Sequence, residues 1–165
     1  MLAHPTRWRN WMAANLDATL AQGDDQLERR HDYIQWLSPG DEPSPHNPDA
    51  PVITAREMRE LVGQHPELRD GLQRALARML SFYGLVLADG RATVAANWQA
   101  RRSNWADKVT HNDRRLSRIL KALYAAGLDA EGDALLRFLL DTFDGKPERA
   151  ASVSHWRWAK RRSNA

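Results

Sequence analysis

The 165-residue chain has no cysteine, which excludes disulfide staples, thiolate metal centres and cysteine nucleophiles at once. Long hydrophobic runs are missing as well. No window approaches the roughly 18 apolar residues of a membrane span, and Met1-Leu2-Ala3-His4-Pro5-Thr6-Arg7-Trp8 lacks the apolar stretch of a secretory signal. These absences point to a cytoplasmic protein. Charge of one sign is scarce too: 24 Lys and Arg stand against 21 Asp and Glu, a net +3, too little to define a polyanion-binding protein without a suggestive placement of the bases. HExxH, GxSxG, a glycine-rich phosphate loop and a dinucleotide fingerprint are all absent, so neither a resident metal nor a cofactor is expected.

Sustained period-two alternation is also lacking, and apolar residues recur instead at helical spacing. The expectation is an all-α fold, one domain over residues 1–165, built as a bundle of about seven helices with a long proline-rich surface loop. Trp8, Trp11, Met12, Leu16 and Leu20 form the stripe of a first helix that stops at Gly23. Leu27, Ile34 and Leu37 share a face of a second, which ends before Pro39. Pro39, Pro43, Pro45, Pro48 and Pro51 then stiffen an extended loop. Thr54-Ala55-Arg56-Glu57 reads as a capping box flanked by the hydrophobic staple of Ile53 and Met58. Its helix ends near His65-Pro66, and the next carries Leu68, Leu72, Leu76, Met79, Leu80 and Tyr83 up to Gly84.

Leu85 to Gly90 reads as a connector and turn, followed by a short helix from about Thr93 through Arg102. Thr110-His111-Asn112-Asp113 opens a helix that turns Leu116, Ile119, Leu120 and Leu123 inward and closes in a Schellman ending at Gly127-Leu128. Asp129 caps the next, with Leu135, Leu136, Leu139, Leu140 and Phe143 buried. Pro147 starts a last helix whose basic end, Lys160 to Ala165, frays.

Chemistry concentrates in two segments. His31-Asp32-Tyr33-Ile34-Gln35-Trp36-Leu37 packs three hydrogen-bonding side chains beside two aromatics, which suits either a ligand pocket or a clasp that pins the proline loop. The second segment runs from Asn97 to Arg118. Arg101, Arg102, Lys108, Arg114, Arg115 and Arg118 are interleaved there with Trp98 and Trp105, a mixture that serves nucleic-acid binding or a solvated helix face with its indoles turned inward. The six histidines have no metal-ligand spacing, and His31 with His111 forms a small enzyme's site only where the fold juxtaposes them.

His31 to Leu37, Pro39, Glu42-Pro43, Asn47 to Pro51, Met79-Leu80-x-Phe82-Tyr83-Gly84 and His111-Asn112-x-x-Arg115-x-Ser117-Arg118-Ile119-Leu120-Lys121 together resemble the conserved region of the opioid growth factor receptor family, over residues 27–144. The resemblance implies a receptor-like binding domain. Vertebrate members are described as receptors for an enkephalin peptide and carry further sequence beyond this region. The Ala- and Arg-rich composition suggests a bacterial member. Ser38 stands where the pattern usually has Phe, and the stretch around Ala106-Asp107 departs from it too.

The function expected from these residues is non-enzymatic binding of a peptide, an anionic small molecule or a protein. His31, Asp32, Gln35, Trp36, His111, Asn112, Arg115 and Arg118 would form one groove, with arginines fixing an anionic group bidentately. The alternatives are nucleic-acid binding through Arg101, Arg102, Lys108 and Arg114, and an enzyme centred on His31 and His111.

Overall fold

Proline is tolerated in the first turn of a helix, where its missing N–H has no partner to lose. Pro5 occupies that position in α1, His4–Leu20, which buries Trp8, Met12 and Leu16. The computed structural model describes residues 3–163. Two short helices follow, α2 (Asp24–Arg29) and α3 (Ile34–Leu37). The single second helix expected from the apolar spacing is therefore corrected to two. Arg30 is extended, with φ −83° and ψ 142°. Arg115, far along the chain, donates to the carbonyls of Leu27, Glu28 and Arg30, so a guanidinium takes the acceptors that continued helical amides would have used.

The chain runs without a helix from Ser38 to Thr54. Pro39 and Pro51 are buried there while Pro43, Pro45 and Pro48 are exposed. At Thr54 the hydroxyl accepts from the Glu57 amide at 3.2 Å, and the Glu57 carboxylate accepts from the Thr54 amide at 2.9 Å. This reciprocal cap opens α4, Ala55–Gln64, with Ile53 and Met58 both buried beside it. Pro66 then begins α5, Pro66–Tyr83, which ends at a left-handed Gly84. A Cβ on Gly84 would lie 2.9 Å from the Trp98 Cα, so both conformation and space require glycine.

The all-α expectation needs amending at residues 85–94. β1, Leu85–Ala88, pairs antiparallel with β2, Arg91–Val94. Asp89 and Gly90 both have positive φ, 52° and 74°, the requirement of a tight two-residue hairpin turn whose twist matches the strands. The helix expected from Thr93 to Arg102 is accordingly replaced by β2, a four-residue α6 (Trp98–Arg101) and a 3₁₀ turn over Arg102–Asn104.

α7 (Asn112–Ala125) and α8 (Asp129–Phe143) are joined by a Schellman turn, with the Leu128 amide on the Leu123 carbonyl at 2.9 Å and the Gly127 amide on that of Tyr124 at 3.1 Å. Asp129 is the first residue of α8 rather than its cap. A 3₁₀ turn at Pro147–Arg149 leads into α9, Ala150–Ser163. The backbone thus stays helical into the basic tail expected to fray; residues 164 and 165 lie outside the described residues. α7 packs against α4, α8 and α9, and α5 against α1 and α4. Trp8, Trp105, Trp156, Tyr33, Tyr83, Phe82 and Phe143 fill the interior. Each large apolar side chain removed from water in this way contributes about 1.5–3 kcal/mol.

Candidate functional site

Residues three and four apart share a face of a helix. Along α7 that rule aligns Arg114, Ser117, Arg118 and Lys121, continuing the line of His111 just before it. These side chains form one wall of a groove of about 560 Å³. Gly40 to Glu42 and Ser44 to His46 of the proline loop form the opposite wall; His31, Ile34 and Gln35 close one end, and His155 of α9 stands at the rim. The volume lies within the range of about 300–1,000 Å³ usual for small-molecule sites.

The two sequence segments meet here. The His31 and His111 rings lie 5.3 Å apart, edge to face. Glu28, at the end of α2, holds His111 Nε2 at 3.1 Å. Burial and the neighbouring Arg115 cation lower the His111 pKa below the usual histidine value, with Glu28 acting in the opposite direction. Arg118 reaches over Gly40, where an added Cβ would sit 3.3 Å from its Nη1. Among the described residues its guanidinium makes one long hydrogen bond, to the Ser38 carbonyl at 3.5 Å. Burial pushes its pKa down while Asp41 and Glu42 act to hold it up. Among the described residues no group of three or more His, Asp or Glu is placed to hold a metal ion.

Four of the eight residues expected in the groove serve other purposes. Asp32 pairs with Arg30 at 2.8 Å, and its carbonyl accepts from Asn47 Nδ2 at 2.8 Å, tying down the proline loop. Trp36 stacks on Trp11 at 5.3 Å and lies under Arg7, outside the groove. Asn112 is fully buried, donating to Glu28 and to the Asn104 carbonyl. Arg115 borders the groove, but its Nη donors are committed to α2 carbonyls and Asn112 and its cation lies over Tyr33. Bidentate capture of an anion by Arg115 is therefore corrected to a structural role. Buried Gln35 donates weakly to Ser44 Oγ at 3.4 Å. From α1, His4 Nδ1 accepts the Val52 amide and Arg7 donates to the Asp49 carbonyl, completing a clasp that the heptapeptide alone did not reveal.

The basic segment proposed for nucleic acid disperses. Arg101 is buried, donating to the Phe82 carbonyl at 2.7 Å and facing Asp24 at 3.6 Å. Arg102 pairs with Asp107 at 2.9 Å and covers Trp98. Trp105 is wholly buried and Trp98 packs edge-on against it and Phe138, so neither indole offers a face to a base. Lys108 is exposed, and Arg114 belongs to the groove wall.

On the inward side of α7 lies a polar cluster that the sequence reading does not anticipate. Arg149 and Asp113 form a buried ion pair at 3.1 Å. Arg149 also donates to the carbonyls of Trp105 and Ala106, Ser152 Oγ donates to Asp113 at 2.6 Å, and Trp156 Nε1 donates to the Asp113 carbonyl. Burial pushes the Asp113 carboxyl up, opposed by the Ser152 hydrogen bond and the Arg149 cation.

Residues 6–149 match the family model described as the opioid growth factor receptor conserved region. The chain is 43% identical over 122 residues to the human opioid growth factor receptor, covering 71% of this chain and 17% of the relative. It is 41% identical over 120 residues to the mouse protein, 71% of this chain and 18% of that one. Mouse opioid growth factor receptor-like protein 1 is 36% identical over 122 residues, 72% of this chain and 26% of the relative. The match thus spans about a fifth of the receptors' own length. No solved structure matches. By both the family model and the identity to these vertebrate relatives, the chain belongs to the opioid growth factor receptor conserved-region family.

Proposed function

We propose that the chain is a non-enzymatic binding domain whose groove between α7 and the proline loop takes up a partner or small molecule through an anionic group. The observation that carries this reading is the row Arg114, Arg118 and Lys121 on one wall of an open groove. Relatives named as opioid growth factor receptors favour a receptor-like role, with a peptide among the ligands to test. No helix among the described residues is long and apolar enough to cross a membrane; a cytoplasmic location is part of the proposal. The Ala- and Arg-rich composition supports a bacterial source.

Thermal-shift titrations with hexaglutamate, hexalysine and an opioid peptide test this reading. Hexaglutamate is expected to raise the unfolding midpoint, and the double substitution Arg114→Gln with Lys121→Gln to remove that rise. Equal responses to hexaglutamate and hexalysine, or a response to hexaglutamate unchanged by the double substitution, would overturn it.

A further inference from the structure

Arg9, Arg30, Arg56, Arg74 and Arg78 each meet a carboxylate at 2.6–3.3 Å. The α7 wall of the groove gathers three cations on one concave surface. Among the described residues no carboxylate lies within ion-pair distance of Arg114, Arg118 or Lys121, and Lys121 finds only the Trp158 ring, at 5.5 Å. Arg118 is the telling member. A guanidinium has five N–H donors; this one is half-buried and, among the described residues, makes a single 3.5 Å hydrogen bond to Ser38. Withdrawing a charge from water is costly unless its donors are filled. Gly40 keeps the space beside Nη1 open, since even a methyl there would crowd it at 3.3 Å.

We infer that the groove is a phosphomonoester site, with Arg118 as its anchor and Arg114 and Lys121 completing the charge around the phosphoryl group. The inference rests on the anion-binding reading above and narrows it. Three cations at i, i+4 and i+7 exceed what one carboxylate can use, whereas a phosphomonoester carries about −1.5 to −2 charges and three acceptor oxygens. A planar guanidinium fork fits two of those oxygens at once. Asp41 and Glu42 on the facing loop wall repel an anion, which sets the phosphoryl group against α7 and leaves the remaining groove for the organic part. Small phosphate esters and phosphorylated side chains of peptides share this chemistry.

Calorimetric titration at pH 7.5 and constant ionic strength separates the possibilities, using phenyl phosphate, benzoate and a phosphoserine hexapeptide. Phenyl phosphate is expected to bind about tenfold or more tightly than benzoate, the equivalent of at least one extra charge-assisted hydrogen bond. Arg118→Gln should remove that preference. The exposed-side substitution Arg114→Gln should weaken phosphate binding about threefold while leaving the unfolding midpoint in place, so the inference survives a folding defect in the Arg118 variant. A phosphopeptide that binds more tightly than phenyl phosphate identifies a phosphorylated protein as the source; the reverse identifies a small ester. Equal affinity for benzoate and phenyl phosphate would overturn the phosphate assignment while the anion-binding groove stood. Absence of binding by these probes and by hexaglutamate would remove both.

Discussion

The two polar faces of α7 both carry arginine, and the arginines end in opposite states. Toward the interior, the Asp113 carboxylate meets Arg149 and Ser152 and its carbonyl accepts from the Trp156 indole N–H, while Arg115 fills the carbonyls that end α2. Toward the groove, among the described residues, Arg118 has one long hydrogen bond and Arg114 has no ion-pair partner. Buried polar groups are stable when satisfied. A satisfied charge therefore marks architecture, and an unsatisfied one on a concave surface marks a place for something else.

Breaking the interior face should cost most. Arg149→Ala strands the Asp113 carboxylate in the core, and loss of one partner of a buried pair costs about 3–5 kcal/mol; urea unfolding is expected to show a matching drop in stability. A change below about 1 kcal/mol would mean that water reaches Asp113 and that the two faces differ less than described. Arg115→Ala comes next. It frees several backbone carbonyls and should cost about 2–3 kcal/mol, with hydrogen exchange rising first in α2. At the edge of the comparison, Thr54→Ala removes one half of a reciprocal cap and should cost about 1 kcal/mol, with no effect on anion binding. Arg114→Gln on the groove face should leave stability within about 0.5 kcal/mol while weakening anion binding.

The smallest effect is a pH dependence. The pKa of His111 is lowered in the folded state from its ordinary 6.5, so the unfolded chain takes up that proton first. The stability this contributes is complete above about pH 6.5 and is lost as pH falls through the interval down to the folded value. Urea midpoints from pH 7.5 to 5 should fall less steeply in His111→Gln than in the parent chain. Parallel curves would place His111 in free contact with solvent.

Most of the helical framework was legible because its signals are local. Thr54-x-x-Glu57, Pro66, Gly84 and Gly127-Leu128 each act within one turn of chain, and the structure uses all of them. The hairpin leaves one local trace: Asp89-Gly90 is a strong two-residue turn signal, but Val86, Leu87 and Val94 are exposed, so the strands lack the alternation that a half-buried sheet displays. The break between α2 and α3 could not be read locally, because its cause is a guanidinium from α7. The meeting of His31 with His111 was posed in the sequence only as a condition, since two segments eighty residues apart meet by tertiary packing alone.

The Asp113–Arg149 pair left one trace. Asn112, Asp113 and Arg115 fall among the inward positions of the stripe formed by Leu116, Ile119, Leu120 and Leu123. Charged residues at core positions of a periodic helix call for buried partners, and that pattern distinguishes them from Arg114 and Arg118 one step around the helix. Residue identity without the helical phase does not separate Arg115 and Asn112 from Arg118.

The most direct test of this division is an amide chemical-shift map of the protein titrated with phenyl phosphate. The account predicts perturbations confined to the neighbourhood of Arg114, Arg118 and Lys121 and to residues 40–46 of the facing loop, with Asp113, Arg149 and the Arg101–Lys108 segment unmoved. Shifts centred on Arg101 and Lys108, or spread without preference over the basic surface, would contradict it.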